Sequence, residues 1–594
     1  MNSKHTLTWF ILAVVLFAFI VGYRFFERST VVAPLAILPD LRPLAVTTVE
    51  VSPRNAAEIS AVNANGAWAL THPVVYPAQA TAIESLLTAL QKLKPVMRLS
   101  PAEASQNHSQ FGFNSPSASL VIQSGDKRDE ILVGDKTPPG DGVYVQVVGR
   151  DGIFITDIDW LKYIPQSANE WRDTALAGDT TDCDSILLTN GTRIIELHRD
   201  PASHLWQMVR PLAARANGDY IADALQKLQT ARVSQFITDN PNTDFSAFGL
   251  QPANLDLWLQ HGTNFLTSVH VGKASTNDST EVFAKRDRWN AVVTTPVQPL
   301  SVWMRAVNEF RDPYLLELTA PVAEIEMIGP GTNHFVLQRQ GANGWTIPGE
   351  KFPVDAGSVQ SFIQMLAGLR VSEFAKDVAT PADFPAYGLA TPSRQIIVRS
   401  AIGDTNAVIA QLLFGAARTN AVFVRRSDEN AVYAISPEDF GNLPAGPSWQ
   451  FRERRIWNFS AGDVAKITVR QNGKTMEVLH NGPNQWSLAP GSQGIITPTG
   501  IEYTAQNLGD LAVGSAQEWW ARGEMDPRFG FKPGNLSVTA TLKDGRTYTL
   551  DFGAQGGNTA LAAVTLEGER WVFICPADLY YFITTYLVLS PHVP

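Results

Sequence analysis

Cysteine is almost missing from this chain: there are two in 594 residues. That excludes a disulfide-framed fold and any Cys-rich metal or iron–sulfur site. Cys183 and Cys575 fall at non-equivalent places in the chain's internal repeat pattern, so no disulfide between them is expected. Charge is scarce as well, at 18% of residues, and its balance is acidic, with 57 Asp and Glu against 47 Lys and Arg. A nucleic-acid binder would show a basic field, so nucleic acid is not an expected partner. Catalytic signatures are missing too: there is no G-x-S-x-G, no H-E-x-x-H and no P-loop. Gly473-Lys474-Thr475 lacks the upstream Gly of a phosphate loop and reads as a hairpin turn. Gly329-Pro330-Gly331 reads the same way, with His334 where a dinucleotide fingerprint needs Gly. His198 and His204 have no third ligand near them. Asp182 and Asp184 bracket Cys183 without the rest of a calcium loop. Asp157 and Asp159 fall at a helix start, where acids are favoured anyway. No catalytic residue, metal or cofactor is therefore expected.

Apolar residues are plentiful: 45% of the chain, with 15 Trp, 29 Phe and 13 Tyr. That is enough for several packed cores. They recur with a period. Trp68, Trp206, Trp345 and Trp486 each precede a Pro, at spacings of 138, 139 and 141. An aromatic-Gly-apolar triplet places Gly112, Gly249, Gly388 and Gly530 at spacings of 137, 139 and 142. A Gly closes an apolar strand at Gly134, Gly272, Gly415 and Gly553. A fourth landmark, aromatic-Arg-acid, ends three of the units: Trp171-Arg172-Asp173, Phe310-Arg311-Asp312 and Phe451-Arg452-Glu453. Its absence where the fourth unit ends points to a junction role, a guanidinium reaching a carboxylate or carbonyls of the following unit in a partly buried pair. A plain helix-end ion pair is the alternative.

These landmarks define four repeats, at 44–177, 178–316, 317–457 and 458–594. Each opens with an alternating strand, such as Val46–Val51. A hairpin leads to the Trp strand. A helix comes next, with apolar residues at helical spacing: Ile83, Leu86, Leu87, Leu90 and Leu93 in the first repeat. Further strands and a short helix complete the unit. The fold class is α+β: four tandem homologous β-rich repeats, each an antiparallel sheet with one or two helices. The four recurring Trp residues are expected in the cores.

The amino terminus carries an uncharged run, Thr6–Tyr23, with Trp9 and Tyr23 near its ends. Eighteen helical residues span about 27 Å, close to the roughly 30 Å hydrocarbon core. A cleaved signal peptide has a shorter apolar region and a small-residue cleavage site, which the chain after Gly22 does not offer. The expected order is a tail at 1–5, one transmembrane helix at 6–24 in the lipid bilayer, a Pro-rich linker at 25–43, then the repeats. Flanking charges do not fix the orientation. Short anchors of this kind usually export the chain beyond them, which places the bulk of the protein outside the cytoplasm.

An anchor followed by units carrying Trp-x(2–4)-Pro, a Leu-rich helix, aromatic-Gly-Leu-x-x-Pro and strand-Gly resembles a bacterial family of unknown function. Its members are often encoded beside ABC-type transport components of the gliding-motility kind. The resemblance implies an inner-membrane protein with a periplasmic bulk, a non-catalytic scaffold or accessory subunit whose partners are ABC-type subunits. A second expectation is a glycan- or peptidoglycan-binding module using exposed rings, with Trp289 and Trp519-Trp520 as candidates. A hydrolase with an unrecognised site is the remote third.

Overall fold

In the computed structural model, the repeated sequence becomes four antiparallel sheets. The structure describes residues 3–28, 36–101, 108–286, 289–318, 320–329, 331, 333–402, 405–514, 520–522, 526–557 and 559–587. In repeat one the strands are β1 (Thr48–Pro53), β2 (Ile59–Ala64), β3 (Ala67–His72), β4 (Tyr76–Pro77), β5 (Met97–Leu99), β6 (Ala118–Ser124), β7 (Lys127–Lys136), β8 (Gly142–Val147) and β9 (Ile153–Asp157). Their order in the sheet is β4-β3-β2-β1-β6-β7-β8-β9-β5. Repeat two has the same nine-stranded order; among the described residues, repeats three and four have eight strands each and no counterpart of β4. Alternation decides the faces: along β1, Val49 and Val51 are buried while Thr48, Glu50 and Ser52 lie outward.

One helix crosses each sheet between its two edges: Ala80–Lys92, Gly218–Thr230, Ala356–Ala367 and Pro498–Gly509. Its apolar stripe packs on the inner face. In repeat one Ile83, Leu86, Leu87 and Leu90 share a core with Val49, Val51 and Trp68. The α+β repeat architecture is thus what the periodicity predicts. The chain divides into two compact units, 1–311 and 312–594, each holding two sheets. In the second unit one apolar core runs through both repeats.

Two of the repeat landmarks turn out to be one device. Gly112, Gly249, Gly388 and Gly530 all sit at positive φ, between 67° and 81°, where a side chain is strained. Facing them, a Cβ on Gly134, Gly272, Gly415 or Gly553 would land on the carbonyl oxygen of Phe111, Phe248, Tyr387 or Phe529. The aromatic-Gly turn therefore lies directly on the strand glycine. In every repeat the strand's pairing slips across that glycine, a bulge that makes room for the turn.

The amino-terminal segments are described only in part. Residues 3–28 are one helix, but among the described residues no helix is long and apolar enough to cross a membrane. Residues 1–2 of the expected tail and 29–35 of the expected linker lie outside the described residues. The rest of that linker is not a spacer. Ile37, Leu38 and Leu41 are buried in the core of repeat one. The Ile37 N–H donates to Leu93 O (2.9 Å), and Arg150 donates to Ile37 O (2.6 Å). Three apolar side chains among the prolines gain more from burial than an extended linker would leave them.

Gly415→Ala should destabilise the second unit by about 1–3 kcal/mol, the usual cost of forcing atoms into a filled contact. Gly441→Ala, in a short helix with open space around it, should be neutral or slightly stabilising. Urea unfolding followed by tryptophan fluorescence checks both.

Candidate functional site

The four recurring Trp side chains are core residues: Trp68 is 5% exposed, Trp206 7%, Trp345 9% and Trp486 5%. Trp486 also donates its Nε1–H to Glu502 (2.8 Å) and stacks on His480. They build the repeats rather than a binding surface. The junction arginines are different, because they sit where one repeat becomes the next.

Backbone pairing comes first. In the first unit Gln79 N–H donates to Trp171 O (2.7 Å) and Asp173 N–H to Pro77 O (2.8 Å). The Trp171-Arg172-Asp173 triplet is thereby laid along the edge of its own sheet. Immediately afterwards Val233 N–H donates to Thr174 O (2.7 Å) and Leu176 N–H to Ala231 O (3.1 Å), both pairings with repeat two. The linker has no slack. The second unit repeats the pattern: Glu453 N–H donates to Pro353 O (2.8 Å), then Val513 N–H to Arg454 O and Ile456 N–H to Leu511 O (both 2.8 Å).

The Arg172 side chain is 1% exposed. Its fork donates to both oxygens of Asp239 in repeat two, at 2.9 and 2.6 Å, and to Asn169 at 3.3 Å. The guanidinium lies 4.3 Å from the ring centre of Tyr76 and 3.8 Å from that of Phe236. Tyr76 comes from repeat one yet packs in the core of repeat two, and burial raises its phenol pKa. Trp289 packs on the same ring at 5.2 Å, so it belongs to the seam and is no open platform.

Arg452, 3% exposed, does the same work in the second unit. It donates to both oxygens of Glu567 in repeat four, at 3.0 and 2.7 Å, and lies 4.4 Å from the Trp571 ring. Phe352 of repeat three meets Trp571 edge-on at 5.7 Å. Burial pushes the Arg452 pKa down against the pull of Glu567. Arg522 adds a bridge from repeat four to Glu350 of repeat three (2.6 Å) and holds Glu569 below its ordinary value.

Arg311 is also buried, at 2% exposure; within the first unit it bridges Ala216 and donates to Asn308 (3.3 Å). The ring differs here. Tyr76 sits opposite Leu70, two residues after Trp68; the residue opposite Met208, two after Trp206, is Ala214. Repeats one and three supply Tyr76 and Phe352 to the neighbouring core, and repeat two has a methyl group at that place. The boundary between the compact units follows Arg311.

The weaker sequence candidates stay apart. His198 bonds Glu196 (2.9 Å), and Asp184 accepts from the Gly262 N–H (2.9 Å). Asp157 accepts from the N–H of Asp159 (3.1 Å). Among the described residues no three His, Cys, Asp or Glu side chains converge on a metal-sized site. Both cysteines are buried, and burial pushes the Cys183 thiol up to about 11. One pair escapes sequence reading: His270 Nδ1 lies 2.5 Å from Asp256. Ser268, two residues along the same strand, has a buried hydroxyl without a hydrogen-bond partner among the described residues, so no relay forms.

Trp519 lies outside the described residues, as does the Trp520 side chain. Among the described residues of repeat four, two tyrosine rings are exposed. Tyr503 (52% exposed) stacks on Phe582 at 6.2 Å, and Tyr581 (57%) meets Phe582 at 5.8 Å.

Sheets in pairs, stapled by a buried arginine at each seam, define a tandem-repeat protein of antiparallel-sheet domains. The chain belongs to the DUF4340 family: the model of this domain of unknown function matches residues 68–202, 206–350 and 345–512. The matches begin at Trp68, Trp206 and Trp345, so the family unit runs from one Trp strand across the junction into the next repeat. No curated protein matches the chain.

Asp239→Ala strands a buried cation and should cost about 1–3 kcal/mol, the range for a broken buried pair reduced because water reaches the carboxylate. Arg172→Met, which keeps an apolar stem between the two rings, should cost less. The double variant should lie near Arg172→Met alone; urea unfolding of all three checks the order. Glu569, with its pKa lowered in the folded state, stabilises fully above its unfolded value and loses that contribution as pH falls through the lowered one. Glu569→Gln should therefore flatten the acid limb of the second unit's unfolding profile.

Proposed function

We propose that this protein is a non-catalytic scaffold, anchored in the bacterial inner membrane through residues 6–24, with its repeats on the periplasmic side. In this reading it is an accessory subunit of an ABC-type envelope complex. The observation that carries the scaffold reading is the seam: a linker hydrogen-bonded to both repeats and locked by a buried arginine holds each pair at one angle. Stiff, repeated bodies suit a spacer that presents binding surfaces at a set distance. The anchor is supported by the amino-terminal helix, where Trp9, Val15, Phe17 and Phe19 are between 62% and 72% exposed. A helix that exposes large apolar side chains in this way needs an apolar partner, and lipid suits its uncharged run. The ABC-type partner rests on the family resemblance.

Affinity purification of the full chain from detergent-solubilised membranes tests this. Recovery with ABC-type subunits is expected, and the Arg172→Met/Arg452→Met variant should weaken it. Recovery of the chain in the soluble fraction, or alone from membranes, would contradict the reading. A glycan-binding alternative draws on the exposed Tyr503 and Tyr581 rings. It requires retention on cell-wall peptidoglycan that Tyr503→Ala/Tyr581→Ala abolishes.

A further inference from the structure

The outer face of the repeat-four sheet carries a recess of about 480 Å³. Alternation brings its floor together. Val469, Val538 and Phe552 are core residues, so their neighbours Arg470, Ser537 and Asp551 lie on the opposite face. These three stand side by side on adjacent strands, Arg470 opposite Ser537 and Ser537 opposite Asp551. Arg570, next to the core residue Trp571, lies on the same face. Two turns form the wall. In the hairpin turn, Asn472 and Gly473 take φ of 50° and 78°, the left-handed values such a turn needs. Lys532-Pro533-Gly534-Asn535 is the second turn: Asn535 N–H donates to Lys532 O (3.1 Å), Pro presets the second position, and Gly534 sits at φ 91° in the third. Asn472 N–H donates to Gly534 O (2.8 Å) and ties the turns together. The loop after the aromatic-Gly turn thereby brings Phe531 and Lys532 to the same recess as Arg470 and Arg570.

Three cations and one acid line the recess. The acid is already engaged: Asp551 accepts from Ser537 (2.8 Å) and from Arg570 Nη2 (2.9 Å). The Arg570 guanidinium lies 5.4 Å from the centre of the Phe531 ring, and its Nε is buried without a hydrogen-bond partner among the described residues. Arg470 and Lys532 are exposed and form no ion pair among the described residues. Glu477, on the Arg470 side, is held by Lys466 (2.9 Å) and Thr468 (3.0 Å). The sister repeats fill the same register places differently. Repeat two has Thr189, Asp256 and His270, which bond one another at 3.3 and 2.5 Å. Repeat three has Ile328, Gln395 and Leu413, and repeat one has Ser52, Ser119 and Leu132. Packing under the loop is thus achieved without cations. The repeat-four set repels itself unless an anion joins it.

We infer that this recess binds a phosphate-type dianion, either the free ion or the phosphate of a small ester or lipid headgroup. Arg470 and Arg570 offer planar guanidinium donors, which suit tetrahedral oxyanions, and Lys532 adds a compact charge from the loop. Two negative charges match the surplus left once Asp551 is counted; a single carboxylate would leave one cation unmet. The bound ion would also tie the loop to the sheet, since Lys532 comes from the turn and both arginines from strands. The site goes beyond the scaffold reading and depends neither on the anchor nor on a partner subunit.

The test titrates the full chain, in detergent micelles at fixed ionic strength, with inorganic phosphate above its second pKa, and follows the heat. Saturable, single-site binding is expected, several-fold tighter than for acetate or chloride. Arg470→Gln/Lys532→Gln should weaken it several-fold without lowering the urea unfolding midpoint in phosphate-free buffer. Lys474→Gln removes an exposed cation of the same hairpin outside the recess and should leave binding unchanged. Parallel titrations use glycerol phosphate and vesicles containing phosphatidic acid. Saturation by the first assigns the phosphate to a soluble ester, saturation by the second to a lipid headgroup, and saturation by neither leaves the free ion as the ligand. The inference is overturned if inorganic phosphate does not saturate, if acetate binds as tightly, or if Lys474→Gln weakens binding as much as the recess variant. None of these results bears on the scaffold reading, which the affinity purification decides separately.

Discussion

An arginine taken out of water must be satisfied where it stands, and that requirement organises each pair of repeats. Removing a guanidinium from solvent costs several kcal/mol, recovered only if a carboxylate and good contacts meet it in one geometry. Arg172 finds Asp239 and two aromatic faces. Arg452 finds Glu567 and Trp571. Any rotation of one repeat against its neighbour would strand the charge. The backbone bonds on either side of each arginine remove the remaining freedom. A weak, solvent-exposed ion pair could not do this, because water would replace the carboxylate at little cost.

The arginine recurs but its partners do not. Asp239 comes just after the edge strand of repeat two, whereas Glu567 lies in the hairpin before the last strand of repeat four. Each seam was solved with the residues at hand. The ring inserted into the neighbouring core varies in the same way, Tyr76 at one seam and Phe352 at the other, whereas Ala214, at the matching place in repeat two, packs against its own core. Inside the repeats, by contrast, the turn glycine and the strand glycine must match each other, because a Cβ on either would overlap backbone. Packing enforces identity there; at the seams only the charge has to be met.

That contrast explains what could be read from the sequence. Backbone constraints leave periodic marks, so the Trp strands, the glycine pairs and the helix stripes were legible at a spacing near 139 residues. Their independence was not: the two glycine landmarks are the two sides of one contact. The edge strand Met97–Leu99 carries too few residues for an alternation to show. Prolines around Ile37, Leu38 and Leu41 hid a segment that packs. Asp239 and Glu567 break the period and could not be found by it. Tyr76-Pro77 and Phe352-Pro353 did carry a signal, an aromatic-Pro pair at one place in the repeat, interrupted by Ala214-Arg215.

Stapled pairs should open as pairs. Native-state hydrogen exchange of the full chain in rising, sub-denaturing urea measures this directly, peptide by peptide. The account predicts that the slowest amides of repeats one and two converge on one opening free energy, and that Asp239→Ala separates them. If the core amides of repeat one and repeat two open independently in the unaltered chain, at different free energies with different urea dependence, the buried arginine is a local ornament and the repeats are separate beads.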